Sequence, residues 1–171
     1  MMAVIDRRFK DCGLEMHPEK SRIIYCKDAK RSEAHEIISF DFLGFTFRPR
    51  RCVSKVHGIH PNFLPAISRQ SMKSVNREVR SWHMQLKNDK SLKDLSKMFN
   101  PKLQGWYAYY GRFYSSAMYR IWRNINEYLV RWLRRRYKRL ASHRTRAWQY
   151  LRKLAKQNQR LFIHWKLGCL P

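Results

Sequence analysis

Arg120, Arg123, Arg131, Arg134, Arg135 and Lys138 are the residues whose type and spacing point to chemistry first. Guanidinium groups stay charged at any physiological pH and present a planar fork of donors that matches phosphate oxygens. Glu127 is the one acid between positions 120 and 138, so this row must meet an outside anion or remain solvated. Lys73, Arg77 and Arg80, then Lys102 and Arg112, then Arg144 and Arg146 repeat the pattern on neighbouring stretches, and all are read as phosphate contacts. Tyr109 falls off the apolar stripe of its own segment and is the candidate for stacking on an unpaired base, a contact worth about 1–3 kcal/mol. Trp106 and Tyr110 lie on that stripe and are read as core.

Other chemistries are poorly represented. No Ser/His/Asp or Cys/His arrangement, paired acids or phosphate-cradling glycine loop stands out. Cys12, Cys26, Cys52 and Cys169 are scattered without a C-x-x-C pair, which argues against zinc and against a secreted disulfide scaffold. His57 and His60 lack a third ligand at useful spacing and read as loop histidines. The charge is uneven: residues 1–60 hold 12 Lys and Arg against 8 Asp and Glu, whereas residues 61–171 hold 25 against 4. A net charge of +25 favours a polyanionic partner, nucleic acid ahead of an anionic membrane. No apolar run spans a bilayer and no signal peptide is evident, so a soluble, cytoplasmic protein is expected.

Several elements must hold these cations in place. Residues 116–140 form a helix with Met118, Ile121, Trp122, Ile125, Tyr128, Leu129, Trp132 and Leu133 on its inner stripe. Before it, Asn100-Pro101 reads as a helix start and Gly111 as that helix's end. Ser68 caps a helix with Met72, Val75, Val79, Trp82 and Leu86 inward, and Ser91 and Asp94 form a capping box opening a short helix to Phe99. Ser142 or His143 opens a further helix carrying Trp148, Leu151 and Leu154. In the tail from 157 onward, Leu161, Phe162, Ile163 and Trp165 dock back as a strand or turn. Nearer the N-terminus, residues 1–12 read as a helix closed by Gly13. Residues 23–26 and 37–47 read as strands, the second apolar on both faces and ended by Arg48-Pro49-Arg50-Arg51. A turn is expected over 27–36 and a loop over 58–65.

Gly-Leu-Glu-Met-His-Pro-Glu-Lys-Ser at 13–21, followed by Phe-Asp-Phe-Leu-Gly-Phe at 40–45, resembles the last two blocks of a reverse transcriptase palm of the group II intron-encoded type. Asn-Pro-Lys-Leu-Gln-Gly-Trp-Tyr-Ala-Tyr-Tyr at 100–110 and the arginine-rich segment after it resemble that family's thumb and maturase-specific domain. The resemblance implies that Lys20 contacts a nucleotide or backbone. It also implies that Phe42, Leu43, Gly44 and Phe45 form a primer-grip-like hairpin, whose side chains read as core while the Gly44 backbone approaches a strand. The family's Tyr-Ala-Asp-Asp turn has no counterpart here, and Asp6, Asp11, Asp28 and Asp41 do not reproduce its metal-binding pattern. Polymerase chemistry needs such carboxylates to hold two Mg²⁺ ions.

The expectation is therefore an α+β chain, mostly α: a short antiparallel β element from the end of a palm (1–62), then a helical thumb and maturase bundle (63–171). It would bind group II intron RNA and assist folding and splicing without catalytic residues, metal or cofactor. The alternatives are one piece of a split RNA-directed DNA polymerase or an inactive remnant. The first would need an N-terminal reverse transcriptase fragment and its Mg²⁺, with a DNA/RNA hybrid as further partner.

Overall fold

The computed structural model describes residues 2–28, 30, 31, 33–54, 56 and 58–171. The chain is α+β and mostly helical, ordered α1 (Met2–Asp11), β1 (Phe40–Phe42), β2 (Phe45–Ser54), β3 (Gly58–Ile67), α2 (Arg69–Ser81), α3 (Leu92–Tyr114), α4 (Tyr119–Arg136), α5 (Arg144–Gln157) and α6 (Ile163–Lys166). Short 3₁₀ turns cover Met84–Leu86, Ser115–Met118 and Lys138–Leu140. The three strands form one antiparallel sheet in the order β1-β2-β3.

Helix α4 is the pillar. All eight residues of the expected stripe are buried, Met118 in the turn just before it and the other seven within it, and Asn126 and Val130 widen the face. α2 contributes Val75 and Val79, α3 Leu95, Phe99 and Leu103, and α5 Ala147, Leu151 and Ala155. Trp148 and Leu154 sit half-buried beside them. The α2 stripe holds through Trp82, but Leu86 is 54% exposed. His83 adopts a left-handed φ of 45°, which breaks the helical period and sends Met84 into the core instead.

The expected break at Asn100-Pro101 does not exist. The Ser91/Asp94 capping box forms with both reciprocal bonds, but the helix it opens runs unbroken to Tyr114 with Pro101 inside it. A mid-helix proline costs about 3 kcal/mol. Burial of Leu95, Phe99 and Leu103 at i, i+4 and i+8 offsets that loss. Asn100 does not cap: its Nδ2 donates to the Leu161 carbonyl at 2.8 Å and its Oδ1 accepts from the Ile163 N–H at 3.2 Å, docking the tail. Gly111 is helical and buried, covered by the Tyr107 ring.

The N-terminal third departs further. No strand forms at 23–26: Ile23 is 62% exposed, and a single bond, Tyr25 N–H to the Ile37 carbonyl at 3.0 Å, links that stretch to 37. A strand without a paired neighbour and a covered face has nothing to hold it. The strand expected over 37–47 is two strands folded at Leu43-Gly44, both at positive φ, as a two-residue hairpin turn requires. Arg48-Pro49-Arg50-Arg51 does not end β2. It continues paired to β3, because β1 stops at Phe40↔Phe47 and leaves an edge where proline costs no ladder bond. Residues 58–65 are likewise strand, not loop; Pro61 and Pro65 are tolerated because β3 is an edge. The boundary placed between 62 and 63 falls inside β3, and the step from sheet to helices comes at Ser68, the N-cap of α2. His60 lies in β3, while His57 lies outside the described residues. The tail does dock, but through the single turn α6.

That tail is locked by a buried polar cluster. Both His164 Nε2, at 2.8 Å, and Trp165 Nε1, at 2.9 Å, reach the Asn126 Oδ1, and Asn126 Nδ2 donates to the Cys169 carbonyl at 3.3 Å. The indole can only donate, so the shared atom is an acceptor and His164 carries a proton on Nε2. Its Nδ1 is buried without a partner. Burial pushes the His164 pKa down to about 3. Between its unfolded value near 6.5 and that folded value, the unfolded chain binds the extra proton, so stability falls as pH falls. Urea unfolding should show the native state losing about 2 kcal/mol from this group between pH 6.5 and 5. A His164→Gln variant, weaker at neutral pH, should show a flatter profile; an identical slope would exclude the role of His164.

Candidate nucleic-acid interface

The cationic face begins with what its cations do in the absence of a partner. Of the four acids in residues 61–171, Glu78 pairs with Lys102, Asp89 with Lys90 at 2.7 Å, and Glu127 with Arg144 at 2.6 Å. Asp94 is held by the Ser91 hydroxyl and backbone N–H of the capping box, which lower its pKa. Lys102 first, then the Trp82 indole, lower that of Glu78. Other arginines are ordered by carbonyls and rings. Arg134 donates to the Ala141 carbonyl from Nε at 2.9 Å and Nη2 at 2.7 Å, closing the end of α4. Arg136 bonds the Asn88 and Lys90 carbonyls and lies over the Trp132 ring at 5.5 Å. Arg131 lies over Tyr128 at 5.1 Å.

The candidate residues thus fall into two groups. Lys73, Arg77 and Arg80 on α2, Arg112 on α3, Arg120, Arg123, Arg131 and Arg135 on α4, Lys138 after it, and Arg146 on α5 are all exposed. Their positive charge is presented outward because packing reserves the opposite faces for apolar side chains. Lys102, Arg134 and Arg144 are instead tied to partners within the chain. Lys20 is exposed in a turn, with its backbone N–H 3.3 Å from His17 Nδ1.

The Leu43-Gly44 turn docks where α2 and α3 approach each other. The Gly44 carbonyl accepts from the Ser68 N–H at 2.8 Å, and the Tyr109 hydroxyl donates to the Leu43 carbonyl at 2.9 Å. Phe45 is buried against Tyr109, at 5.1 Å between centroids, and Tyr110, at 5.5 Å. The expectation that the Phe42, Leu43 and Phe45 side chains are core is corrected at two of them: Phe42 is 59% and Leu43 69% exposed, because the tight turn throws both outward. Beside the turn opens a groove of about 910 Å³, walled by the Ser71, Ser74 and Glu78 side of α2 and the Lys102, Trp106 and Tyr109 side of α3. Trp106 forms part of that wall, half-buried, stacked on Trp82 at 5.5 Å. Tyr109 is 50% exposed and lines the groove while its hydroxyl is engaged. Among the described residues, no three or more His, Cys, Asp or Glu converge as a metal site would require.

Sequence reading missed one basic surface. Arg48, Arg50 and Arg51, whose run reads in sequence as a strand end, line a second groove together with Arg69 and Arg120. The signal was the Arg48/Arg50 alternation, which places both side chains on one face once the segment is recognised as strand.

Gly44 is indispensable to the turn. At φ +80° a Cβ would lie 2.8 Å from Ser71 Oγ and 3.4 Å from the Tyr110 hydroxyl. Gly44→Ala should therefore cost about 1–3 kcal/mol of unfolding free energy. Denaturant titration checks this, and unchanged stability would mean the turn does not rest on α2.

Comparison with known proteins adds a family match. The family model for the group II intron, maturase-specific domain matches residues 72–154, from the first turns of α2 to the last turns of α5. No curated protein and no solved structure matches the chain. The exposed cations from Lys73 to Arg146 lie within the matched range, and that segment of the chain is similar to the group II intron maturase-specific domain.

Proposed function

We propose that the chain binds folded group II intron RNA through the exposed cations of α2, α4 and α5 and stabilises the RNA's splicing-competent form. The observation that carries this is stoichiometric: residues 61–171 hold 25 Lys and Arg against four acids, and all four acids are engaged within the chain. A polyanionic partner would supply the missing negative charge, and the similarity to the maturase-specific domain supports group II intron RNA as that partner. The action is non-chemical. Phosphates of converging RNA segments are neutralised on a rigid helical surface, and tighter binding to the folded RNA shifts its equilibrium. Shape and unpaired bases would provide specificity, since the deep major groove of A-form RNA excludes side chains. No helix of the described residues is long and apolar enough to cross a membrane.

One observation favours a second reading. Val4, Ile5 and Phe9 on α1, with Leu14, Ile23, Ile37, Ile38 and the turn residues Phe42 and Leu43, expose apolar surface that none of the described residues covers. An upstream palm fragment supplied in trans would cover it and bring the carboxylates of a DNA polymerase. Primer extension with that fragment added separates the two readings, incorporation supporting the split enzyme.

For the RNA-binding reading, R131A/R135A/K138A should weaken affinity for intron RNA at low salt. The slope of log affinity against log salt should fall by about two, at roughly 0.7–0.9 per phosphate contact. Arg134 is left in place because it closes α4 on the Ala141 carbonyl. Unchanged affinity and slope would remove this surface from the account.

A further inference from the structure

The second groove, of about 860 Å³, lies between the β2–β3 hairpin, the start of α2 and the junction of α3 with α4. Arg48, Arg50, Arg51, Arg69 and Arg120 line it, and no Asp or Glu does. Four of the five lie outside the segment matched to the maturase-specific domain. Arg48, Arg51, Arg69 and Arg120 are exposed, while Arg50 is half-buried and fixed. Its Nε donates to the Leu64 carbonyl at 3.0 Å and its Nη2 to the Thr46 carbonyl at 2.9 Å, with the guanidinium over the Tyr114 ring at 5.2 Å. Five donors less two leave the outer edge of that fork for a ligand.

Placement makes the charge more conspicuous still. Arg69 is the first residue of α2 and Arg120 the second of α4, where the helix dipole favours an anion, and neither first turn holds an acid. Cations on three strand positions and at two helix starts repel one another and gain nothing from the dipoles. An anion seated among them relieves both.

We infer that this groove is a second site for the phosphodiester backbone of RNA, set apart from Arg131, Arg135 and Lys138 at the far end of α4 and anchored by the carbonyl-fixed Arg50. The inference rests on the reading of the chain as an RNA binder and assigns to the hairpin a role that the family match does not reach. Arg50 orients the strand through a rigid fork, Tyr114 supports that fork from beneath, and Arg48, Arg69 and Arg120 neutralise the flanking phosphates.

Arginine footprinting with phenylglyoxal on the wild-type chain tests it, using a short oligouridylate as probe and mass spectrometry to read each residue. Saturating RNA should slow modification of Arg48, Arg69 and Arg120 at least about threefold. R48Q/R69Q should weaken binding about tenfold at low salt and lower the salt slope by about 1.4, two contacts at roughly 0.7 each for a single strand. Footprinting needs no variant, so the test survives if the substitutions impair folding. If these three react at unchanged rates while Arg131 and Arg135 are protected, the groove is excluded and the helical surface stands. If no arginine is protected and the RNA does not bind, the RNA-binding reading fails and the groove site falls with it.

Discussion

The structure is governed by an imbalance of charge that folding cannot correct. Residues 61–171 carry 25 Lys and Arg and four acids, so pairing every carboxylate still leaves 21 cations. The fold copes in two ways. Arginines that must be ordered use neutral partners: Arg134 the Ala141 carbonyl, Arg136 the Asn88 and Lys90 carbonyls, Arg50 those of Leu64 and Thr46, and Arg139 the Tyr150 ring at 5.5 Å. The remainder are turned to solvent. Carbonyls and rings hold a guanidinium without cancelling its charge, so order is gained while the surface stays positive.

Such a surface needs a stiff support, and the aromatic core provides it. Trp122, Trp132 and Trp165 are almost wholly buried around α4, and Trp132 Nε1 bonds the Lys87 carbonyl at 2.9 Å, tying the turn after α2 to the pillar. Asn126 performs the same service for the tail through His164, Trp165 and Cys169. Rigid helices fix the spacing of their outer cations, and fixed spacing is what lets a surface favour one RNA shape over another.

Much of this was legible from residue spacing. The stripe from Met118 to Leu133 is buried as expected because 3.6-residue periodicity over about four turns has few other solutions. The failures occurred where tertiary contacts override local signals. Asn100-Pro101 carries the marks of a helix start, but Asn100 is needed by Leu161 and Ile163, sixty residues away in sequence. Pro49, Pro61 and Pro65 argued against strands because their tolerance depends on which strand lies at an edge, a property of the assembled sheet. The basic groove was missed for the same reason: Arg48 and Arg69 become neighbours only once the hairpin folds against α2. Composition located the charge, and only the fold could group it.

The salt dependence of wild-type binding to intron RNA tests the central claim most directly. If affinity comes from phosphates neutralised by cations that the chain cannot pair, it should fall about a thousandfold or more between 50 and 200 mM monovalent salt. Affinity that stays level across that range would show that the uncompensated charge is not what holds the partner, and would contradict the account.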